Sequence, residues 1–135
     1  MDLVKALQIS AHGLKAQGTR LRVIAENVAN ADSLPQTPGE QPYRRKLVSF
    51  TNALNRALGF ETVKVRDIDV DRSDFGKRFE PGHPAADPEG YVLTPNVKSV
   101  IEMADMREAQ RSYEANLKVI EASRSMLQRA IAVLR

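Results

Sequence analysis

A seven-residue rhythm runs through the C-terminal stretch, residues 97–135, and restricts what the chain can become. Met106, Tyr113, Ile120, Leu127 and Leu134 fall seven apart. A second row, four positions on from each, holds Gln110, Leu117, Arg124 and Ile131, and is apolar at Leu117 and Ile131. Ala109 and Ala130 widen the stripe, while Arg107, Arg111, Glu114, Lys118, Glu121, Ser125 and Arg129 take the opposite side. No glycine interrupts the stretch, and no proline follows Pro95, so nothing in it stops a helix. A heptad repeat held this long marks a helix that packs along a partner helix. At ~1.5 Å per residue it reaches roughly 55 Å, more than a small globular domain needs. A long core helix in a bundle and an intermolecular or terminal coiled coil both fit, and the sustained repeat favours the second. Asn116, beside the seam, is a candidate register-setting polar residue.

The other end repeats the pattern. Within residues 1–31, Leu7, Leu14, Leu21 and Val28 stand seven apart, flanked by Val4, Ala11, Ile24 and Ala25. Gly13 and Gly18 each weaken this helix by about 1 kcal/mol relative to alanine, so it needs a partner to persist. The C-terminal helix has a matching seam to bury, and Ala11, Gly18 and Ala25 are expected to let the two backbones approach. The fold class predicted is α+β: long N- and C-terminal helices packed as an antiparallel coiled coil, with a small β-rich module inserted between them. Residues 1–31 and 97–135 would then form one helical domain, and residues 32–96 an extended loop plus the β module.

Residues 32–42 contain Pro35, Pro38 and Pro42 among polar side chains, too broken for a helix and longer than most connections. An interaction arm and a plain linker fit this loop equally. Tyr43 to Phe50 reads as a strand, Asn52 to Leu58 as a short helical turn ended by Gly59, and Phe60 to Arg66 as an alternating strand. Ile68 and Val70 continue with the opposite parity, which predicts a bulge near Arg66 and Asp67. Phe75 and Phe79 are expected to bracket a turn at Gly76; Asp87-Pro88-Glu89-Gly90 is a turn signal before the short strand Tyr91 to Leu93. A β module this small has a thin core and relies on its neighbours.

Chemistry-bearing groups are few. The 135 residues include no cysteine, which excludes disulfides, thiolate metal sites and cysteine nucleophiles. Asp67, Asp69 and Asp71 open like a calcium loop, but Arg72 stands where glycine is required and Arg78 where a glutamate should bind. Their alternation with Ile68 and Val70 places them on the solvent face of a strand. His12 and His83 lie far apart and lack partners at metal-ligand spacing. No nucleophile elbow and no glycine-rich phosphate loop occur. Arg44-Arg45-Lys46 reads as a solvated strand end rather than an anion site, and a net charge of +3 with mixed signs argues against a nucleic-acid partner. Ser99 to Asp105 lacks arginine and lysine, so no basic region precedes the heptads as in a DNA-binding coiled coil. No cleavable secretory signal follows Met1-Asp2-Leu3-Val4-Lys5, and no apolar run spans a membrane, so the chain reads as soluble. No enzyme, cofactor, metal or small-molecule substrate is expected.

Three stretches carry a resemblance. Ile9-Ser10-Ala11-His12-Gly13-Leu14-Lys15-Ala16-Gln17, running into Leu21-Arg22-Val23-Ile24-Ala25-Glu26-Asn27-Val28-Ala29-Asn30-Ala31, resembles the N-terminal motif of bacterial flagellar rod, hook and related axial proteins. Pro42-Tyr43-Arg44-Arg45-Lys46 follows it as in the proximal-rod branch. Asp87-Pro88-Glu89-Gly90-Tyr91-Val92-Leu93-Thr94-Pro95-Asn96-Val97, Glu102-Met103-Ala104-Asp105-Met106 and Arg111-Ser112-Tyr113-Glu114-Ala115-Asn116 match the same branch. The resemblance implies a structural subunit of the basal-body rod, the shaft that crosses the periplasm, exported without a cleaved signal through the flagellar type III gate. It implies self-association through the terminal helices, with other proximal- and distal-rod subunits, a rod-base adaptor and the membrane MS ring as partners. The subunit-interface residues it points to, together with the heptads, are Leu7, Leu14, Leu21, Ile24, Asn27, Val28, Asn30, Met106, Tyr113, Asn116, Leu117, Ile120, Leu127, Ile131 and Leu134. Asn27 to Ala31 and the proline-rich loop are expected to form an inter-subunit joint. A soluble adaptor or chaperone that grips one partner helix with a terminal hairpin is the competing class.

Overall fold

The structure, a computed structural model, describes residues 2–135. It contains two long helices, α1 (Leu3–Ala29) and α2 (Ser99–Val133), and four strands, β1 (Lys46–Asn55), β2 (Phe60–Val70), β3 (Gly76–Phe79) and β4 (Tyr91–Thr94). The fold is α+β. Asp2 caps α1, its Oδ1 accepting the Val4 amide at 3.0 Å. At the other end the Asn30 side chain donates to the Glu26 carbonyl at 2.9 Å, satisfying a group the helix leaves open. No helix among the described residues is long and apolar enough to cross a membrane.

The strands form two two-stranded sheets, β1 with β2 and β3 with β4. Asn52 to Asn55 continue β1 instead of forming a helical turn, because their burial alternates with period two. Only Arg56 to Gly59 turn. The Leu58 and Gly59 amides reach the Asn55 carbonyl at 3.1 and 2.8 Å, and Gly59 supplies φ of 73°. A connection this short joins antiparallel neighbours. β2 runs as one strand to Val70. Gly76 lies in β3 rather than in a turn, paired antiparallel with β4 in the register Gly76 to Thr94 and Phe79 to Tyr91. The Phe79 and Tyr91 rings meet edge to face at 5.3 Å.

The chain divides into two compact units. Residues 1–21, 48–67 and 107–135 make the first. Its fully buried side chains are all small: Ser10, Ala16, Thr62, Ala109 and Ser123. Along its helices Gly13 adjoins Asn116, Gly18 adjoins Tyr113, and Arg20 pairs with Glu108 at 3.7 Å. Numbers falling on one helix as they rise on the other show that the two segments run antiparallel. Extended along α1, the same register brings Leu3 beside about Met126, so the last two turns of α2 run past it. Ile131, Val133 and Leu134 are accordingly 52%, 85% and 86% exposed. The expectation that Ala11 and Ala25 permit close approach is corrected: both are exposed, and Gly13 and Gly18 are the small residues that adjoin α2.

Gly13 offers a test of that packing. A Cβ there would meet the Asn116 amide at 2.8–2.9 Å, and that amide is held by a 2.9 Å bond to the Ser112 carbonyl. Gly13→Ala gains about 1 kcal/mol of helix propensity but sacrifices this bond and overpacks the site, each at a similar cost. We expect Gly13→Ala to be neutral or destabilising in the native background and stabilising by about 1 kcal/mol when Asn116 is alanine. Urea unfolding of the four proteins of this cycle shows whether the sign reverses.

The second unit comprises residues 22–47 and 68–106. Its apolar core is Val23, Ile24, Ala85 and Val92, but Asn27 and Glu102 are buried as deeply.

Candidate functional site

Asn27 organises the polar centre of the second unit. It faces inward from the last turn of α1, where a polar side chain must find partners or cost stability. Its Oδ1 accepts the Tyr43 hydroxyl at 2.8 Å and the Lys46 amide at 2.9 Å. Its Nδ2 donates to the Lys46 carbonyl at 2.9 Å and to Glu102 Oε2 at 3.2 Å. Both lone pairs and both protons are thus used within the chain. The two bonds to Lys46 reproduce a strand partner for the first residue of β1, so the helix end fixes where that strand begins.

Glu102, one turn into α2, has a side chain only 1% exposed, and its Oε1 accepts Arg45 Nε. The Arg45 guanidinium also reaches Asp71 and Asp105, each at 3.4 Å, so one cation serves three carboxylates. Arg45's amide donates to Asn96 Oδ1 at 2.8 Å, and Asn96 Nδ2 donates to the Asp71 carbonyl at 2.9 Å. The Asp71 amide returns to the Arg45 carbonyl at 2.7 Å. Arg44 donates to the carbonyls of Asp71 and Ser73, both at 3.0 Å, and lies 4.1 Å over the Phe75 ring. A pocket of about 180 Å³ opens beside this cluster, lined by Arg45, Asp71, Asn96, Lys98 and Glu102 among others.

Each charge is held by its setting. Burial works against the Arg45 cation, but the bond and charge of Glu102, then Asp71, outweigh it and raise its pKa above the ordinary value. The Ser73 amide, the Ser73 hydroxyl and Arg45 hold Asp71 below its usual 3.8. Lys46 Nζ, 2.9 Å from Glu26 Oε2, lowers Glu26 below 4.5 and is itself raised above 10.5. Burial raises the Tyr43 phenol. A depressed carboxylate contributes stability that is present above its unfolded pKa and lost as pH falls through the folded one; a raised lysine loses its contribution as pH rises through its folded value. We therefore expect a thermal midpoint that is flat near neutrality and falls below about pH 4.5, with part of the acid limb absent in Asp71→Asn. Melting curves from pH 3 to 8 on both proteins measure this; identical acid limbs would exclude a contribution from Asp71.

The arrangement contains no nucleophile–base pair, and no group of three or more His, Asp or Glu among the described residues is placed to hold a metal ion. What it does is mechanical: it ties the end of α1, the start of β1, the loop after β2 and the start of α2 to one buried charge.

The sequence-derived interface residues are distributed unevenly. Asn27 lies inside this cluster, Ile24 is buried beside it, and Asn30 caps α1 and accepts the Ser33 hydroxyl at 3.1 Å. Leu7, Leu14, Leu21, Val28, Met106, Asn116, Ile120 and Leu127 are half-buried. Tyr113, Leu117, Ile131 and Leu134 are exposed. Reading Arg44 to Lys46 as a solvated strand end is corrected, since the Arg45 side chain is only 19% exposed and paired on three sides. The expectation of Asp71 on a solvent face is corrected too, because β2 ends at Val70 and Asp71 turns back toward Arg45. Glu102 and Asn96 are not among the interface residues expected from the sequence. The available signal was Glu102's place seven residues before Ala109, on the inner face of α2, where a carboxylate demands a cation.

The residues gathered here, Asn27, Tyr43, Arg45, Asn96, Glu102 and Asp105, come from all three stretches that carried the resemblance. Residues 7–33 match the family model described as "Flagella basal body rod protein", and residues 89–133 that described as "Flagellar basal body rod FlgEFG protein C-terminal". The chain is 51% identical to the flagellar basal-body rod protein FlgC of Agrobacterium fabrum, over 98% of this chain and 96% of the relative. It is 38% identical to that of Bacillus subtilis, over 98% and 99%, and 37% identical to that of Borreliella burgdorferi, over 100% and 99%. With such identities running from end to end, and both terminal helices matched by rod models, the chain belongs to the FlgC family of flagellar basal-body rod proteins, which is structural and not enzymatic.

Proposed function

We propose that the chain builds the proximal part of the flagellar rod by helical self-assembly, its terminal helices packing as an antiparallel coiled coil into an inner tube around the export channel. Residues 1–31 and 97–135 form that tube, and residues 32–96 the loop and outer β-rich part. Assembled, it transmits motor torque across the periplasm. Its neighbours are other proximal- and distal-rod subunits, the rod-base adaptor and the MS ring, and it arrives through the type III export gate without a cleaved signal.

One observation carries this reading. The inner positions of α2 in the first unit are Ala109 and Ser123, yet Leu117, Val119, Met126 and Ile131 are left 40–57% exposed on the same helix. A helix that spends its small residues on its own chain and keeps its large apolar ones outside is suited to neighbours that cover them. Leu7, Leu14, Leu21, Val28 and Tyr113 extend the proposed interface along both helices, and Asn30 positions the loop beyond α1. Leu117→Asp should leave unfolding of the isolated chain within about 0.5 kcal/mol of wild type, as surface changes do, while abolishing incorporation into purified basal bodies and swimming. Normal motility in that variant would assign the interface to another face.

A further inference from the structure

The two compact units carry opposite net charge. Residues 1–21, 48–67 and 107–135 hold twelve Lys and Arg against six Asp and Glu, a formal +6. Residues 22–47 and 68–106 hold eight against eleven, a formal −3. In the first unit, positive charge gathers about His12. Two adjoining pockets of about 330 and 310 Å³, both lined by His12 and Lys64, are extended by Lys15 in one and Arg56 in the other, and no carboxylate lines either. Lys15, Arg56 and Lys64 form no ion pair among the described residues. In the second unit the exposed turn Asp87 to Gly90 carries two carboxylates outside any ion pair among the described residues. Its shape is fixed: Asp87 Oδ1 accepts the Glu89 and Tyr91 amides at 3.0 and 2.8 Å, and the Gly90 amide reaches the Asp87 carbonyl at 2.9 Å.

We propose that the basic double pocket around His12 of one copy receives the acidic Asp87–Glu89 turn of a second copy. This rests on the reading of the chain as a self-assembling subunit and specifies one of its contacts. The two patches differ, so the contact is head to tail and repeats instead of closing on a pair. Opposite net charges steer the two units together and oppose head-to-head approach of two +6 surfaces. The turn is pre-formed, so little ordering is lost when it docks.

The test uses full-length protein in sedimentation velocity at about 0.05 and 0.5 M salt, conditions that bracket strong and weak screening. Wild type should self-associate at least about tenfold more weakly at the higher salt. Lys15→Glu with Lys64→Glu should remove the low-salt association, and so should Asp87→Asn with Glu89→Lys, where asparagine keeps the acceptor that shapes the turn. Circular dichroism serves as the folding control. Mixing the two charge-altered proteins pairs an acidic pocket with a basic turn and a native pocket with a native turn, so association should return. Association of either variant equal to wild type, or no recovery on mixing, overturns the proposal. If instead wild type stays monomeric but binds phosphatidylglycerol vesicles through Lys15 and Lys64, the pocket serves a membrane surface and the proposal is wrong. Occurrence in basal bodies separates the two levels: a wild-type chain missing from them defeats the rod reading, whereas incorporation of the Lys15→Glu, Lys64→Glu protein at wild-type level defeats only this contact.

Discussion

Arg45→Met should lower the unfolding free energy of the isolated chain by about 3–5 kcal/mol, the loss expected when one partner of a buried ion pair is removed. Glu102 is 0% exposed, and Arg45 is its only cationic partner in an ion pair among the described residues. Without the guanidinium the carboxylate must ionise in a poor environment or bind a proton, and either choice disfavours the folded state. The bonds to Asp71 and Asp105, at 24% and 34% side-chain exposure, contribute less because water screens them. Against a total stability of 5–15 kcal/mol typical of domains, this loss brings the second unit close to unfolding. Urea titration reads the effect directly. Arg45→Met with Glu102→Met should recover most of it, since no buried charge remains, short of the acceptor lost to Asn27 Nδ2. Arg45→Lys keeps a charge without the fork and should fall between wild type and Arg45→Met. If Arg45→Met stays within 1 kcal/mol of wild type, the cluster is not what holds this unit together.

How far the sequence revealed this depends on which residues carry the signal. The helix limits were legible because the heptad rows have no breaker inside them and Pro95 precedes α2. The face that meets the partner was less so. Periodicity weights large apolar residues such as Leu117, whereas α1 meets α2 at Gly13 and Gly18 and the buried side chains of the first unit include Ala16 and Ala109, whose hydrophobicity is slight. The strand expected to end at Phe50 runs on to Asn55, since Asn52 and Asn55 both resemble turn residues and only Asn55 supplies one. The buried cluster was hidden for a different reason. Arg45, Asp71 and Glu102 are separated by as many as 57 positions, and each alone resembles an ordinary surface charge. Asn27 is legible through its motif but its partners are not: its side chain bonds to Tyr43, Lys46 and Glu102 of the same chain. A polar residue on the inner row of a heptad, as Glu102 is, deserves a search for a counter-charge elsewhere in the sequence.

In dilute solution, residues 3–21 and 107–133 should exchange their amide hydrogens far faster than residues 22–29 and 99–106, although each pair of segments belongs to the same two helices. Ordering costs about 1–2 kcal/mol per residue, and the first unit offsets it with small buried side chains such as Ser10, Ala16, Ala109 and Ser123, its larger apolar ones on the helices being at most half-buried. Gly13 and Gly18 add a further penalty of about 1 kcal/mol each. The shorter segments are held by Val23, Ile24, Asn27 and Glu102, all nearly inaccessible to water. Opening of the first unit should therefore require less than about 2 kcal/mol in the free chain, equivalent to protection factors below about thirty. On the proposed interface, in which neighbouring copies cover Leu117, Met126 and Ile131 and a second copy docks at the His12 pocket, protection should rise by several orders of magnitude along both helices in the assembled rod. Folding of the long helices and building of the rod then become one event. Hydrogen exchange on a verified monomer and on isolated rods measures both states. Strong protection of residues 107–133 in the monomer would show a self-sufficient hairpin, and assembly would then be a docking of finished subunits.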